Sequence, residues 1–103
     1  SSDLYIAYLS QLPHALAVAL MTSCEDPKGF SAFSGNSFRD LTRIAYINEK
    51  MWSELFLENK EALLYVMDAF EKEMGKLKEA LTKEDRDTIE EMMVLSTGRR
   101  KDF

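Results

Sequence analysis

The sequence contains few of the residue types that build metal, disulfide and nucleotide sites. Among its 103 residues it has one cysteine, Cys24, and one histidine, His14. One cysteine excludes a disulfide within the chain, and one cysteine with one histidine cannot complete a structural zinc site. The 4 glycines lie too far apart for a dinucleotide or P-loop fingerprint, which needs closely spaced glycines. We therefore expect no metal site, no cofactor-binding residue and no catalytic residue in this chain, and a reducing compartment such as the cytoplasm.

Basic charge and long apolar runs are scarce as well. The chain has 13 Lys and Arg residues against 18 Asp and Glu residues, a formal charge of −5. This is the wrong sign for a protein that binds nucleic acid by neutralising phosphates. The longest apolar run, Ala15–Met21, is far shorter than the ~20 residues that span a bilayer. We expect neither nucleic acid nor a membrane among the partners.

Helical periodicity covers most of the chain, whereas alternating strand patterns and hairpin turns are nearly absent. We predict an all-α fold: a helical bundle with one long heptad-patterned helix, forming a single domain over residues 1–95 with a flexible basic tail at residues 96–103. The first helix is expected to run from Ser2 or Asp3 to about Ser23. Pro13 lies inside it and predicts a kink near residues 9–12, because proline clashes with the carbonyl four residues earlier.

Residues 30–37 predict an ordered loop, after which three more helices follow. The first of them is short and runs from about Phe38 to Ile47. A long helix begins after the capping residue Asn48 and continues as far as Leu81. A last short helix, capped by the segment 82–85, ends at Leu95.

The long helix carries an apolar stripe with alternating spacings of four and three residues, which is a heptad pattern. A helix over residues 49–81 would be ~50 Å long, whereas a compact domain of this size is about 34 Å across. It should therefore bend, most cheaply at Gly75, or pack against something outside the monomer. The stripe is either an internal core or a dimer interface, in which its one polar member, Asn59, would fix the register. Its members are Trp52, Phe56, Asn59, Leu63, Met67, Phe70, Met74, Leu77 and Leu81.

Three polar side chains interrupt the first helix, which is otherwise apolar nearly all round. Ser10, Gln11 and His14 share one sector of this helix because they are spaced three and four residues apart. They form an internal hydrogen-bond network or a solvent-facing polar surface, or else they face a ligand, with His14 donating to an anion.

The short helix carries a charged pair, Asp40 and Arg43, on the side opposite its apolar stripe. One interpretation is an exposed ion pair worth less than ~1 kcal/mol. The other is that Asp40 orients Arg43, whose planar guanidinium then binds a carboxylate through two hydrogen bonds.

Three separated motifs in the chain together resemble those of one known family. They are Ser10-Gln11-Leu12-Pro13-His14-Ala15, then Phe38-Arg39-Asp40-Leu41-Thr42-Arg43-Ile44-Ala45, then Met51-Trp52 with Phe56-Leu57-Glu58-Asn59-Lys60-Glu61. Over roughly residues 3–81 the sequence resembles the C-terminal helical domain of prephenate dehydrogenases, of which arogenate and cyclohexadienyl dehydrogenases are close relatives.

The resemblance implies that the chain supplies dimerisation and part of the substrate cleft of a larger enzyme. That enzyme would oxidatively decarboxylate prephenate to 4-hydroxyphenylpyruvate in tyrosine biosynthesis. Its cofactor, NAD or NADP, and its catalytic histidine would belong to an N-terminal domain outside this chain. The implied partners are a second copy in a homodimer, prephenate or arogenate as substrate, and tyrosine as a further ligand. This chain alone is expected to be inactive.

The same resemblance implies roles for particular side chains. Arg43 would receive a substrate carboxylate beside Asp40, and Ser10 and His14 would line the same cleft. Trp52 would lie at this cleft too, close to the dimer interface. Gln11 stands where many members have a second histidine, and Gly35-Asn36-Ser37 replaces a commoner all-glycine turn. The expected substrate-binding residues are Ser10, Gln11, His14, Asn36, Asp40, Arg43 and Trp52. The alternative is a stand-alone helical module that binds an aromatic acid or a partner helix.

Overall fold

The computed structural model describes residues 2–30, 33 and 35–103, and every regular element in these ranges is helical. The prediction of an all-α fold is therefore confirmed. The helices are α1 (Ser2–Ile6), α2 (Leu12–Thr22), α3 (Pro27–Phe30), α4 (Asn36–Thr42), α5 (Glu49–Glu58), α6 (Lys60–Thr82) and α7 (Arg86–Lys101), with a π-helical segment at Ala7–Gln11 and a 3₁₀ segment at Arg43–Ala45.

The irregularity that Pro13 predicts takes the form of the π-helical segment, which links α1 directly to α2. In this segment the backbone N–H of Leu12 donates to the carbonyl of Ala7, five residues earlier. A widened turn of this kind accommodates a proline ring that would clash with the carbonyl of Leu9 in a regular α-helix. The helical stretch therefore continues through Pro13 to Thr22.

The long helix is interrupted at Asn59 and not at Gly75, so the predicted position of the bend is wrong. Asn59 has φ −116° and ψ 30° and separates α5 from α6, whereas Gly75 lies inside α6. The side-chain amide of Asn59 donates to the side chain of Gln11 and to the carbonyl of Asp3. These hydrogen bonds attach the residue between α5 and α6 to the first helical stretch.

The predicted start of α4 is wrong by two residues, whereas the predicted start of α5 is confirmed. The helix α4 begins at Asn36, two residues before the expected Phe38, and continues as a 3₁₀ turn at Arg43. Asn48 caps α5 as predicted, because its side-chain oxygen accepts a hydrogen bond from the backbone N–H of Met51 at 2.9 Å.

The last helix is longer than predicted. It continues beyond Leu95 to Lys101, so the predicted helix end is wrong. That residues 96–103 form a flexible tail stays a prediction. Its final turn carries Arg99, Arg100 and Lys101, whose positive charges complement the carbonyl end of the helix dipole. The Arg100 guanidinium also lies 5.6 Å from the centre of the Phe103 ring. The predicted domain boundary at residue 95 stays a prediction.

The chain divides into two compact units, one ending at Met67 and the other spanning Asp68–Phe103. In the N-terminal unit the first helical stretch packs against α5 and the start of α6 around the buried residues Ala7, Leu63 and Val66. The helix α2 also contacts α4 and the 3₁₀ segment. These contacts bring the elements that carry Asn36, Asp40 and Arg43 against the first helical stretch, which carries Ser10, Gln11 and His14.

The heptad stripe differs in burial between the two units. In the N-terminal unit Leu63 is buried and the other stripe residues are half-buried, so this part of the stripe is internal core. In the C-terminal unit Phe70, Met74 and Leu81 are 37%, 53% and 60% exposed. The internal-core interpretation therefore holds for the N-terminal part of the stripe, while a dimer interface at its C-terminal part stays a prediction.

The C-terminal unit contains a tight turn between α6 and α7. The backbone N–H of Glu84 donates to the carbonyl of Leu81 at 3.1 Å, and that of Asp85 donates to the carbonyl of Ala80 at 2.8 Å, which is a Schellman motif. Glu84 adopts a φ of 54°. Asp85 then caps α7 by accepting bonds from the backbone N–H and the hydroxyl of Thr88.

Among the described residues, one helical stretch, Ser2–Thr22, is long and apolar enough to cross a membrane by length and composition. Core helices of soluble proteins, which are mostly buried, and signal sequences near an N-terminus meet the same criterion. In this stretch 17% of the most apolar window is buried within the structure. Polar residues interrupt this stretch, so no uninterrupted apolar run in the sequence indicates it. That a membrane is not a partner stays a prediction.

Candidate functional site

Gln11 belongs to an internal hydrogen-bond network in the N-terminal unit. Its side chain is 4% exposed, and its Nε2 donates to the carbonyl of Leu55 at 3.1 Å. Its Oε1 accepts from Nδ2 of Asn59 at 2.7 Å, and the same nitrogen donates to the carbonyl of Asp3 at 3.2 Å. For Gln11 the network interpretation therefore has direct support, while a contact between its side chain and substrate stays a prediction.

His14 lies at the start of α2 with its ring held by two contacts. Its Nδ1 is 2.8 Å from the carbonyl oxygen of Ser10. Its imidazole stacks on the indole of Trp52, with ring centres 3.9 Å apart and ring planes inclined by 20°. Trp52 in turn meets the ring of Phe56 edge to face at 6.0 Å. The structure thus brings together three residues that were predicted to line one cleft: Ser10, His14 and Trp52.

Arg43 and Asp40 are both exposed, Asp40 near the end of α4 and Arg43 at the start of the 3₁₀ segment. In the described part of the chain no ion pair joins them, and Arg43 has no acidic partner. The expected pairing of the two side chains is therefore not found, and this includes both the surface ion pair and the orientation of Arg43 by Asp40. The Arg43 guanidinium is left available to an external anion.

Asn36 is exposed and forms the first residue of α4, next to Gly35 at the N-cap position. No hydrogen bond of its side chain is found within the described ranges. Asn36, Asp40 and Arg43 thus follow one another along a single short helical stretch that packs on α2. A contact of each with substrate stays a prediction.

A cavity that the sequence analysis did not identify lies beside this stretch. It has a volume of about 540 Å³ and is mostly apolar. Phe30 and Phe38 meet edge to face in its wall at 5.7 Å, and Arg39 is the charged residue among the described lining residues. In the sequence, only the cluster of aromatic residues around position 33 could have indicated this cavity. From the sequence alone that cluster predicted no more than an ordered loop. The described residues that line it are Met21, Pro27, Phe30, Phe33, Gly35, Phe38, Arg39 and Thr42.

None of the substrate-binding residues predicted from the sequence lines this cavity. Within residues 2–30, 33 and 35–103, no three His, Cys, Asp or Glu side chains cluster as they would around a metal ion. The chemistry that the described site offers is therefore hydrogen bonding, ion pairing and aromatic contact.

Comparison with known proteins gives a consistent result across sequence and structure. The family profile described as "Prephenate dehydrogenase, dimerization domain" matches residues 1–95. A cyclohexadienyl dehydrogenase of Zymomonas mobilis is 37% identical over an alignment of 92 residues that covers 84% of this chain and 31% of that protein. A prephenate dehydrogenase of Lactococcus lactis is 32% identical over 85% of this chain and 26% of its own length.

A solved structure shares the fold. The crystal structure of Synechocystis arogenate dehydrogenase superposes with a TM-score of 0.86 over 97% of this chain and 38% of its own, at 21% identity. The present chain thus spans about a third or less of the curated relatives that it matches.

Proposed function

Because the chain belongs to the family of prephenate dehydrogenase dimerization domains, we propose that it is the C-terminal helical domain of a longer NAD- or NADP-dependent dehydrogenase. That enzyme oxidatively decarboxylates prephenate or arogenate in tyrosine biosynthesis. The observation that carries the proposal is that the family match and the relatives cover nearly the whole chain, but only about a third or less of each relative.

The nicotinamide cofactor would be held by the remainder of that longer protein. The scattered glycines of this chain offer no loop whose backbone can approach a pyrophosphate. When bound, the cofactor accepts a hydride, and the helical domain contributes to holding the substrate that supplies it.

For the substrate, we assign Arg43 the role of carboxylate receptor. Its guanidinium is exposed and has no acidic partner in the described part of the chain, and a planar guanidinium can bind a carboxylate through two parallel hydrogen bonds. His14, with Ser10 and Trp52 around it, forms a second contact surface on the adjoining helix. Gln11 supports this surface through its internal network. Asn36 and Asp40 flank Arg43 on the same stretch.

A homodimer is the proposed assembly, with the exposed part of the heptad stripe in the interface. Phe70, Met74 and Leu81 repeat at heptad spacing on α6, and a two-fold contact would use the same residues in both copies. Met74→Glu should then shift the full-length protein from dimer to monomer in analytical ultracentrifugation. Lys72→Glu, an exposed change on the same helix, is the matched control and should leave the dimer intact. A dimer that survives Met74→Glu would place the interface elsewhere.

The activity is tested with the full-length gene product. We expect this protein to reduce NAD or NADP in the presence of prephenate or arogenate. Adding tyrosine to the same reactions tests it as an inhibitor. A full-length protein that reduces neither cofactor with either substrate would contradict the proposal.

A second candidate function has one observation in its favour. The aromatic-lined cavity, which Arg39 also lines, has the size and composition of a small-molecule site. It suits an aromatic acid that is bound by this domain itself and whose carboxylate pairs with Arg39. Isothermal titration with phenylpyruvate tests this, and binding should be lost in Arg39→Gln. Equal affinity in that variant would exclude the cavity as the site.

A further inference from the structure

Most of the surface of α7 is exposed. Of its 16 residues only Thr88, Ile89 and Met92 are half-buried, and the others are exposed. Val94 points away from these three, because it lies on the opposite side of the helix, and it is 73% exposed. A helix of this length is marginally stable in water when little of it is packed. The outward face of α7 would therefore gain stability from a partner.

The charges at the two ends of α7 have a self-complementary order. Arg86 and Asp87 begin the helix, Lys101 ends it and Asp102 caps it, and all four are exposed. None of the ion pairs in the described part of the chain includes them. If two copies of α7 lie antiparallel and cross at Val94, residues at equal distances before and after that position face each other. Arg86 of one copy then faces Asp102 of the other, and Asp87 faces Lys101.

Apolar side chains occupy the middle of α7, between these charges. Met93, Val94 and Leu95 are 60%, 73% and 51% exposed. In the same antiparallel arrangement Val94 meets Val94 of the second copy, and Met93 meets Leu95. A recess of about 480 Å³ also lies along this part of the helix. The described residues that line it are Asp87, Glu90, Glu91, Val94 and Leu95.

The order of these charges decides which partner fits. A partner surface of a single charge sign would leave like charges opposed at some of the four positions, which disfavours binding. A second copy of α7 supplies an opposite charge at every one of them and an apolar middle as well. The family match ends at residue 95, so the basic end of α7 and Asp102 lie outside it.

We propose that α7 is a self-association surface that pairs antiparallel with α7 of a second copy, with Val94 at the crossing point and Asp87 opposite Lys101 at both ends. Each contact then occurs twice, about a two-fold axis. One pair of helices of this length buries less than the about 1,200 Å² of a stable interface. The contact is therefore weak by itself and adds to the proposed dimer contact on α6. It uses neither the substrate-binding residues nor the α6 stripe.

The test is disulfide trapping in the full-length protein. Val94→Cys places a thiol on the two-fold axis, so that the two copies of the new side chain meet and mild oxidation should link them covalently. Lys72→Cys is the matched control, because it is an exposed position on α6. It should give no more linked dimer than wild type, whose own cysteines set the background.

Charge reversal tests the antiparallel arrangement. In the Val94→Cys protein, Asp87→Lys puts like charges opposite each other at both ends and should slow trapping by about threefold or more, and Lys101→Asp should do the same. The two reversals together restore opposite charges and should restore the rate. High salt should reduce these differences by screening. In a parallel pair each residue would meet its own copy, so the double reversal would bring no rescue.

The outcomes decide the proposal without reference to dehydrogenase activity. Trapping of Val94→Cys at the level of Lys72→Cys would overturn it, and this result is expected if the remainder of the longer protein covers α7. Trapping that ignores the single reversals, or that the double reversal fails to restore, would also overturn it. Circular dichroism checks the helix content of each variant. Where a reversal lowers the helix content, Asp87→Asn and Lys101→Gln replace it and should slow trapping by a smaller factor, whereas an unchanged rate in both would contradict the pairing.

Discussion

Asn59 donates its side-chain amide to Oε1 of Gln11 over 2.7 Å, although 48 residues separate the two in sequence. The contact links the interruption between α5 and α6 to the π-helical segment that precedes Pro13. Two features that looked unrelated in the sequence, a polar residue in a heptad stripe and a polar residue in an apolar helix, are each other's partners. Asn59 therefore acts within the chain, and its expected role in fixing the register of a dimer is not supported.

Asn59→Leu should lower the free energy of unfolding by about 1–3 kcal/mol, because the buried side-chain oxygen of Gln11, Oε1, would lose its hydrogen-bond donor. The double variant Gln11→Leu/Asn59→Leu should recover part of this loss, since it removes both polar partners. Chemical denaturation of the two single variants and the double variant measures the coupling. Strictly additive effects would show that the two side chains do not act as a pair.

Glu84→Gly should raise the free energy of unfolding by about 0.5–1 kcal/mol. Glu84 adopts a φ of 54° in the turn after α6. This backbone conformation is unfavourable for a residue with a Cβ atom, whereas glycine adopts it freely. Glu84→Ala is the matched control, because it removes the charge but keeps Cβ and should give no comparable gain. Equal stabilisation by both variants would attribute the effect to charge.

The cap at the start of α7 should make stability depend on pH in the acid range. The hydroxyl and then the backbone N–H of Thr88 hold the pKa of Asp85 below its usual value, and the hydrogen bond from Lys83 does the same for the pKa of Glu79. A carboxyl whose pKa is lowered on folding stabilises the fold above its unfolded pKa, near 4, and this contribution is lost as the pH falls further. Thermal unfolding from pH 6 to 2.5 should show a smaller acid-induced drop in Tm for Asp85→Asn than for wild type. An identical drop in Tm would show that Asp85 does not contribute to the loss of stability in acid.

Arg43→Lys in the full-length enzyme should raise the KM for substrate more than about tenfold, or about 1.4 kcal/mol per decade, because lysine keeps the charge but loses the planar pair of donors. Steady-state kinetics measures it. Arg86→Lys on α7 is a matched conservative change away from the proposed site and should leave KM unchanged. Wild-type kinetics in Arg43→Lys would return Arg43 to the role of a surface cation.

The 103-residue chain by itself should show no dehydrogenase activity. Hydride transfer needs a bound nicotinamide, and the chain has no motif that holds a pyrophosphate. Absorbance at the reduced-nicotinamide band, with prephenate and either cofactor, is the measurement, and the full-length protein is the positive control. Turnover by the isolated chain would overturn the division of roles between the domains.

The sequence by itself determined the helical class, the cap at Asn48, the disturbance before Pro13 and the family. These depend on local chemistry: periodicity, a side chain within reach of its own backbone, a missing N–H, and short motifs read in order. It did not locate the helix break, because Gly75 has the weaker intrinsic helix preference and nothing near Asn59 reveals a partner 48 residues away.

The tertiary structure alone decided what each polar group does. Gln11 and His14 lie three residues apart on one helix face. The side-chain amide of Gln11 forms hydrogen bonds with Asn59 and with the carbonyl of Leu55. The ring of His14 instead stacks on Trp52. Periodicity places residues on a face, but hydrogen bonds and ring contacts depend on which distant element packs there. For the same reason the absence of an ion pair between Asp40 and Arg43 follows from side-chain positions and could not be read from their spacing of three residues.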